Sequence, residues 1–158
     1  MKRFALAVAL LAALALIAQG ALAQGKFALR VSAGDTKPYT DKAGNVWQPD
    51  KEYKKGGGYG FVSGDTVDRG SDMKIAGTAD PKIYQTEHYS MDSFIAEVPN
   101  GKYTVRLHFA ETYEGIDSEG PRVFDVKVGG AAVEKDLDVQ KAAGAIQKAL
   151  HSHQAERP

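Results

Sequence analysis

Hydrophobic and polar residues alternate most regularly over 102–109, where Tyr103, Val105, Leu107 and Phe109 fall on one side and Lys102, Thr104, Arg106 and His108 on the other. A period of two predicts a strand that lays one face on a core. The same period sets Phe27, Leu29 and Val31 against Ala28, Arg30 and Ser32, and predicts an opening strand over 26–33. Further strands are expected at 83–89, 94–98, 122–128 and 131–139, with short ones at 45–47 and 59–62. Pro99, Asn100 and Gly101 mark one turn and Gly129-Gly130 another, because Pro presets φ and Asn and Gly tolerate the left-handed region. Over 140–154 the alternation gives way to helix formers such as Ala142, Ala143, Ala145, Lys148 and Ala149, which predicts a short helical tail. Short strands punctuated by Gly, Pro and Asn, with no helical pattern between them, predict an all-β fold: an antiparallel β-sandwich or jelly roll.

The first 23 residues have a different pattern. Lys2 and Arg3 precede an apolar run from Phe4 to Ile17, and Ala21, Leu22 and Ala23 follow. This is the form of a secretory signal, with cleavage expected after Ala23. The run is shorter than the roughly 18 apolar residues a membrane span requires. Three parts are therefore expected: a signal peptide at 1–23, one domain at 24–138 and an atypical tail at 139–158. The expected location is secreted or periplasmic, with no membrane association after cleavage. The chain has no Cys, so a domain outside the cytoplasm would be held by its core rather than by disulfides.

Charge narrows the partners. Twenty Lys and Arg balance 20 Asp and Glu, which leaves no surplus of positive charge for a run of phosphates and argues against a nucleic-acid partner. Aromatic residues widen them. Tyr39, Tyr53, Tyr59, Tyr89 and Tyr113 fall in expected loops or at strand ends, where flat rings and nearby acidic side chains suit the apolar face and hydroxyl rim of a pyranose. For any single Tyr, a core or corner position with a bonded hydroxyl is the simpler reading.

Several segments, in order, resemble the malectin domain and the malectin-like carbohydrate-binding modules. They are Arg30-Val-Ser-Ala-Gly34, Tyr39-Thr-Asp41, Gly44-Asn-Val-Trp47 with Asp50, Tyr84-Gln-Thr-Glu-His-Tyr89, Val98-Pro-Asn-Gly101, Tyr103-Thr-Val-Arg-Leu-His-Phe-Ala-Glu111, Arg122-Val-Phe-Asp-Val126 and Lys135-Asp-Leu-Asp138. The resemblance implies a galactose-binding-like sandwich whose loops hold a glucose-containing oligosaccharide or polysaccharide, without metal, cofactor or catalysis. It places the binding aromatics at Tyr59, Tyr89 and Tyr113, and we add Asp35, Glu87 and Glu114 as polar partners. Glu114 stands where animal members carry an aromatic. The family's closing strands find no counterpart after Asp138, so the chain is expected to be C-terminally shortened, by a frameshift or early stop or by a helix in place of strands.

Four other chemistries are weaker. A glycosidase needs two carboxylates across a cleft; Glu87, Glu111, Glu114 and Asp125 have the right type, but Glu87 and Glu111 are expected to anchor loops, with Arg106 and Arg122 near them in sequence. The Asp65 to Asp72 segment lacks the spacing of a calcium loop and reads as a solvated loop. Gly56-Gly57-Gly58-Tyr59-Gly60 lacks the Lys-Ser/Thr ending of a phosphate loop and is expected to free Tyr59 to approach a ligand. His88 and His108 are expected on the surface, and His151 with His153 makes a weak metal pair. The alternative to a sugar-binding module is an envelope structural or protein-interaction sandwich without sugar binding.

Overall fold

In a computed structural model the described residues are 27–157, with the side chains of 118, 119 and 151–157 excepted. The expected signal peptide and its cleavage point lie outside them. In chain order the elements are β1 (Tyr39–Thr40), β2 (Val46–Trp47), β3 (Tyr59–Val62), β4 (Asp65–Asp68), the helical turn α1 (Lys82–Gln85), β5 (Thr86–Tyr89) and β6 (Ser93–Ala96). Then come β7 (Tyr103–Phe109), the helical turn α2 (Ile116–Glu119), β8 (Val123–Val128), β9 (Ala131–Asp138), α3 (Val139–Ala143) and β10 (Leu150–Arg157). The strands pair antiparallel as β1–β2, β3–β6, β4–β5, β7–β10 and β8–β9, giving the all-β sandwich that the strand pattern predicts.

Two of these pairs form one bent ribbon. β3 runs into β4 through Ser63 and Gly64, β5 into β6 through Ser90 to Asp92, and the Asp92 N–H donates to the Val62 carbonyl at 3.0 Å across the bend. Ser63, Gly64 and Ser90 all take positive φ there. The β8–β9 hairpin closes on Gly129 and Gly130, both at positive φ, as the sequence predicts.

Three expectations are corrected. Residues 27–33 make no ladder; Val31 forms a single parallel bridge to Gln48, and Phe27 stays exposed. The run at 83–89 divides into α1 and β5, because Pro81 at φ −62 starts a helical turn whose Tyr84 and Gln85 are both buried. The Gln85 amide then donates to the carbonyls of Ser71 and Met73, at 3.0 and 2.9 Å.

The third correction is the tail. Only α3 is helical: Asp138 caps it by accepting from the Lys141 N–H at 2.9 Å, and Gly144 ends it at φ 82. The Ala76 N–H donates to Gln147 at 2.8 Å and the Ala149 N–H to Ala76 at 2.9 Å, which draws the chain back to the body. β10 then pairs along β7, from Leu150 opposite Phe109 to Arg157 opposite Tyr103. A half-buried strand with an open edge outweighs the modest helix propensity of these residues.

The core sits beneath this junction. Ile75, Tyr84 and Ala149 are buried together, with Met73, Ile83 and Ala110 packed on them. Burial pushes the Tyr84 hydroxyl up to about 12, and it is hydrogen-bonded to Nδ1 of His108 at 2.8 Å. His108 is therefore tied inward rather than surface-facing. His88 is inward too, its side chain 8% exposed; it stacks on Phe61 at 4.1 Å, and its ring nitrogens face Asp50 at 2.8 Å and the Ser63 carbonyl at 2.9 Å.

Two predictions follow from these contacts. Ending the chain after Ala149 removes β10 and should abolish the cooperative thermal transition seen by circular dichroism; an unchanged midpoint would mean that β10 contributes nothing to β7. The second concerns the β1–β2 turn, where donation from the Trp47 indole and from Asn45 holds the Asp41 carboxyl down from 3.8 to about 2. Because the folded value lies below the unfolded one, the turn's stabilisation is complete above about pH 4 and is lost as pH falls through about 2. Trp47 is the only tryptophan, so its emission should titrate near pH 2 in the native chain and show no such step in Asp41→Asn.

Candidate functional site

β7 delivers Ala110 and Glu111 into a tight turn. Glu111 is only 6% exposed, and a buried carboxylate is costly unless donors surround it. Its Oε1 accepts the Tyr113 N–H at 2.8 Å. Arg122, just before β8, gives Nε to Oε2 at 3.1 Å and Nη2 to Oε1. These bonds fix the backbone from Glu111 to Tyr113. The Arg122 guanidinium then lies 5.2 Å from the centroid of the Tyr113 ring. On another side the ring meets Gly115 so closely that a Cβ there would come within 2.5 Å of the phenol carbon and oxygen.

A second guanidinium forms the facing wall. Arg69 follows β4, its N–H donating to the Gln85 carbonyl at 2.8 Å. Its side chain is held by Glu87 of β5, Nε to Oε1 at 3.0 Å with Nη2 on the same oxygen. Between the walls is a cleft of about 330 Å³ lined by Arg69, Met73, Thr112, Tyr113, Glu114 and Gly115. That is within the roughly 300–1,000 Å³ of small-molecule sites. Thr112 is 2% exposed, and its Oγ1 has no hydrogen-bond partner among the described residues. An aromatic face, a fixed donor and a carboxylate therefore share one concavity.

The residues expected from the sequence are distributed unevenly about it. Tyr113 and Glu114 line the cleft. Glu87 stands behind, orienting Arg69, and Glu111 takes Arg122, so both acids are ion-paired anchors. Tyr89 ends β5 opposite Asp65, is 41% exposed, and by alternation shares a face with Glu87. Tyr59 belongs to a separate aromatic group with Phe94 and Phe61. Its hydroxyl donates to the Pro49 carbonyl at 2.9 Å, Lys51 covers its ring at 4.0 Å, and burial, then Asp50, raises its pKa. Asp35 pairs with Lys82 at 3.0 Å in the turn after Gly34. There, at φ +78, a Cβ on Gly34 would sit 2.5 Å from the Glu87 carbonyl.

The glycine loop has another purpose than freeing Tyr59. The N–H groups of Gly56 and Gly58 donate to the Glu97 carboxylate at 2.7 and 3.0 Å, and the Tyr53 hydroxyl adds a third bond at 2.9 Å. These donors hold the Glu97 pKa below its ordinary value. Arg69, Thr112 and Gly115 were not singled out from the sequence. Gly115, directly after Tyr113 and Glu114, was the available signal; Arg69 gave none, since its partner lies 18 residues away.

Residues 27–156 match the family model of the malectin domain. Over 68 residues the chain is 41% identical to malectin-B of Xenopus laevis, a stretch that is 41% of this chain and 24% of that protein. It is 29% identical over 142 residues to receptor-like protein 4 of Arabidopsis thaliana, covering 84% of this chain and 23% of that protein. The chain thus spans about a quarter of the length of these relatives. Among solved structures it is similar to beta-glucuronidase 2 of Bacteroides uniformis, with TM-score 0.70 and 24% identity over 82% of this chain and 14% of that one, a likeness of fold.

The Tyr113–Gly115 contact predicts a variant that separates folding from site geometry. Gly115 has φ −73, which alanine adopts freely, so Gly115→Ala should change stability by less than about 1 kcal/mol. The added methyl should displace the Tyr113 ring and erase its nuclear Overhauser contacts with Arg122. An unmoved ring would contradict the steric account.

Proposed function

Because this chain belongs to the malectin domain family, whose members are carbohydrate-binding domains, we propose that it is a non-catalytic, secreted or periplasmic module that binds a glucose-containing oligosaccharide or polysaccharide. The observation that carries this reading is the cleft itself: Tyr113 fixed at its side by Arg122 and Gly115, with Arg69, Thr112 and Glu114 around the same space. A pyranose stacks its C–H face on the phenol ring and exchanges hydroxyl hydrogen bonds with the guanidinium and the carboxylate. Tyr89 extends this surface along the Glu87 face of β5 for a longer chain of sugars.

A glycosidase reading loses two of its four candidate carboxylates, since Glu87 and Glu111 are committed to Arg69 and Arg122. The protein-interaction reading draws support from the exposed Met91, Phe94 and Val98, and would be favoured if Phe94→Ser changed partner capture in the absence of any sugar titration.

Calorimetric titration with α- and β-linked glucose oligosaccharides tests the proposal. One stacked ring and a few partly hydrated hydrogen bonds predict a Kd between about 1 μM and 1 mM. Tyr113→Ala should weaken binding about tenfold or more, and Tyr59→Ala should leave it within about threefold, since Tyr59 lies outside the cleft lining. Absence of heat from a folded sample across the series would refute the reading.

A further inference from the structure

Two compensated arginines and one uncompensated carboxylate set the charge of the cleft. Arg69 lines it with its guanidinium already taken by Glu87, and Arg122, against Tyr113, is taken by Glu111. Glu114 lines the same space, is exposed, and has no hydrogen bond or ion pair among the described residues. Of these five groups, four pair off, and the charge left over is that of Glu114, the acid that lines the cleft.

Resting on the carbohydrate-binding reading above, we propose that the cleft selects neutral saccharides and that Glu114 is the specificity residue that rejects sugars bearing a carboxylate. The chemistry of the two ligand types differs at this side chain. A sugar hydroxyl donates a hydrogen bond to the Glu114 carboxylate, whereas a uronate carboxylate at neutral pH has no proton to donate and meets a like charge at close range. Arg69 offsets that repulsion only in part, because its charge is shared with Glu87. A ligand group reaches only the guanidinium N–H groups that Glu87 leaves free, beside a carboxylate that already balances the Arg69 charge. Arg69 therefore acts on a ligand more as a positioned hydrogen-bond donor than as a counter-charge.

The test is calorimetric titration of the folded chain and of Glu114→Gln with glucose oligosaccharides and with the same oligosaccharides ending in glucuronic acid. The readout is the ratio of the two affinities. In the native chain at about 20 mM salt, the uronate should bind about tenfold or more weakly than its neutral counterpart, and the gap should narrow at about 300 mM as screening shortens the reach of the repulsion. Glu114→Gln should raise the uronate-to-neutral ratio about tenfold and remove its salt dependence. The proposal is overturned if the native chain binds both sugars alike at low salt, if the gap ignores salt, or if Glu114→Gln discriminates as the native chain does. Neutral sugars that bind in each of those cases leave the carbohydrate-binding reading standing. Failure of every sugar to bind removes that reading and this one together.

Discussion

Glu111 is buried where β7 ends, and a carboxylate in that position is tolerable only while it is fully bonded. Its partners come from three parts of the chain. Arg122 brings the start of β8, the Tyr113 N–H brings the next turn of backbone, and the Glu111 carbonyl receives the Gln147 N–H at 2.7 Å from the approach to β10. The carboxylate's demand for donors therefore fixes where β8 begins and how the backbone carries Tyr113, while the same residue's carbonyl anchors the approach to β10. The Arg69–Glu87 pair does the same between β4 and β5. Two carboxylate–guanidinium pairs thus hold opposite walls of one cleft, and its polarity is a by-product of how the sandwich is tied together.

The coupling between fold and site runs through the edge of β7. β10 covers that edge in antiparallel register, and Ala149, at the entry to β10, is packed with Ile75 and Tyr84. Met73, which lines the cleft, packs on this same cluster. A loss of order in the final strand is thus transmitted to the floor of the cleft by direct contact.

The sequence revealed the parts whose pattern is local. The two-residue period of β7, β8 and β9, the Gly129-Gly130 turn and the bounds of β3 were all legible, because one face of each strand or one turn dihedral decides them. Two elements were hidden by competition. α1 lies inside a strand-like apolar run, where Pro81 and the core's need for Tyr84 decide the outcome, and β10 lies in helix-favouring residues that pair because β7 offers them an edge. At the site, Tyr113 and Glu114 were legible from motif likeness. Arg69 and Thr112 were not, since their roles depend on a partner distant in sequence and on burial, which no local pattern encodes. Tyr59 and Asp35 illustrate the converse: residue type suggested a ligand role, while a backbone acceptor at Pro49 and an ion pair with Lys82 occupy their polar atoms.

The central claim is that one concavity, walled by Tyr113 and Arg69, receives the saccharide. Amide chemical-shift mapping during titration of isotope-labelled protein with glucose oligosaccharides tests it most directly. The account predicts saturable shifts concentrated at Arg69, Met73 and the stretch from Thr112 to Gly115, with smaller ones at Glu87 and Tyr89. Shifts confined to the Tyr59, Phe61 and Phe94 group, with the Thr112 to Gly115 amides unmoved, would contradict it.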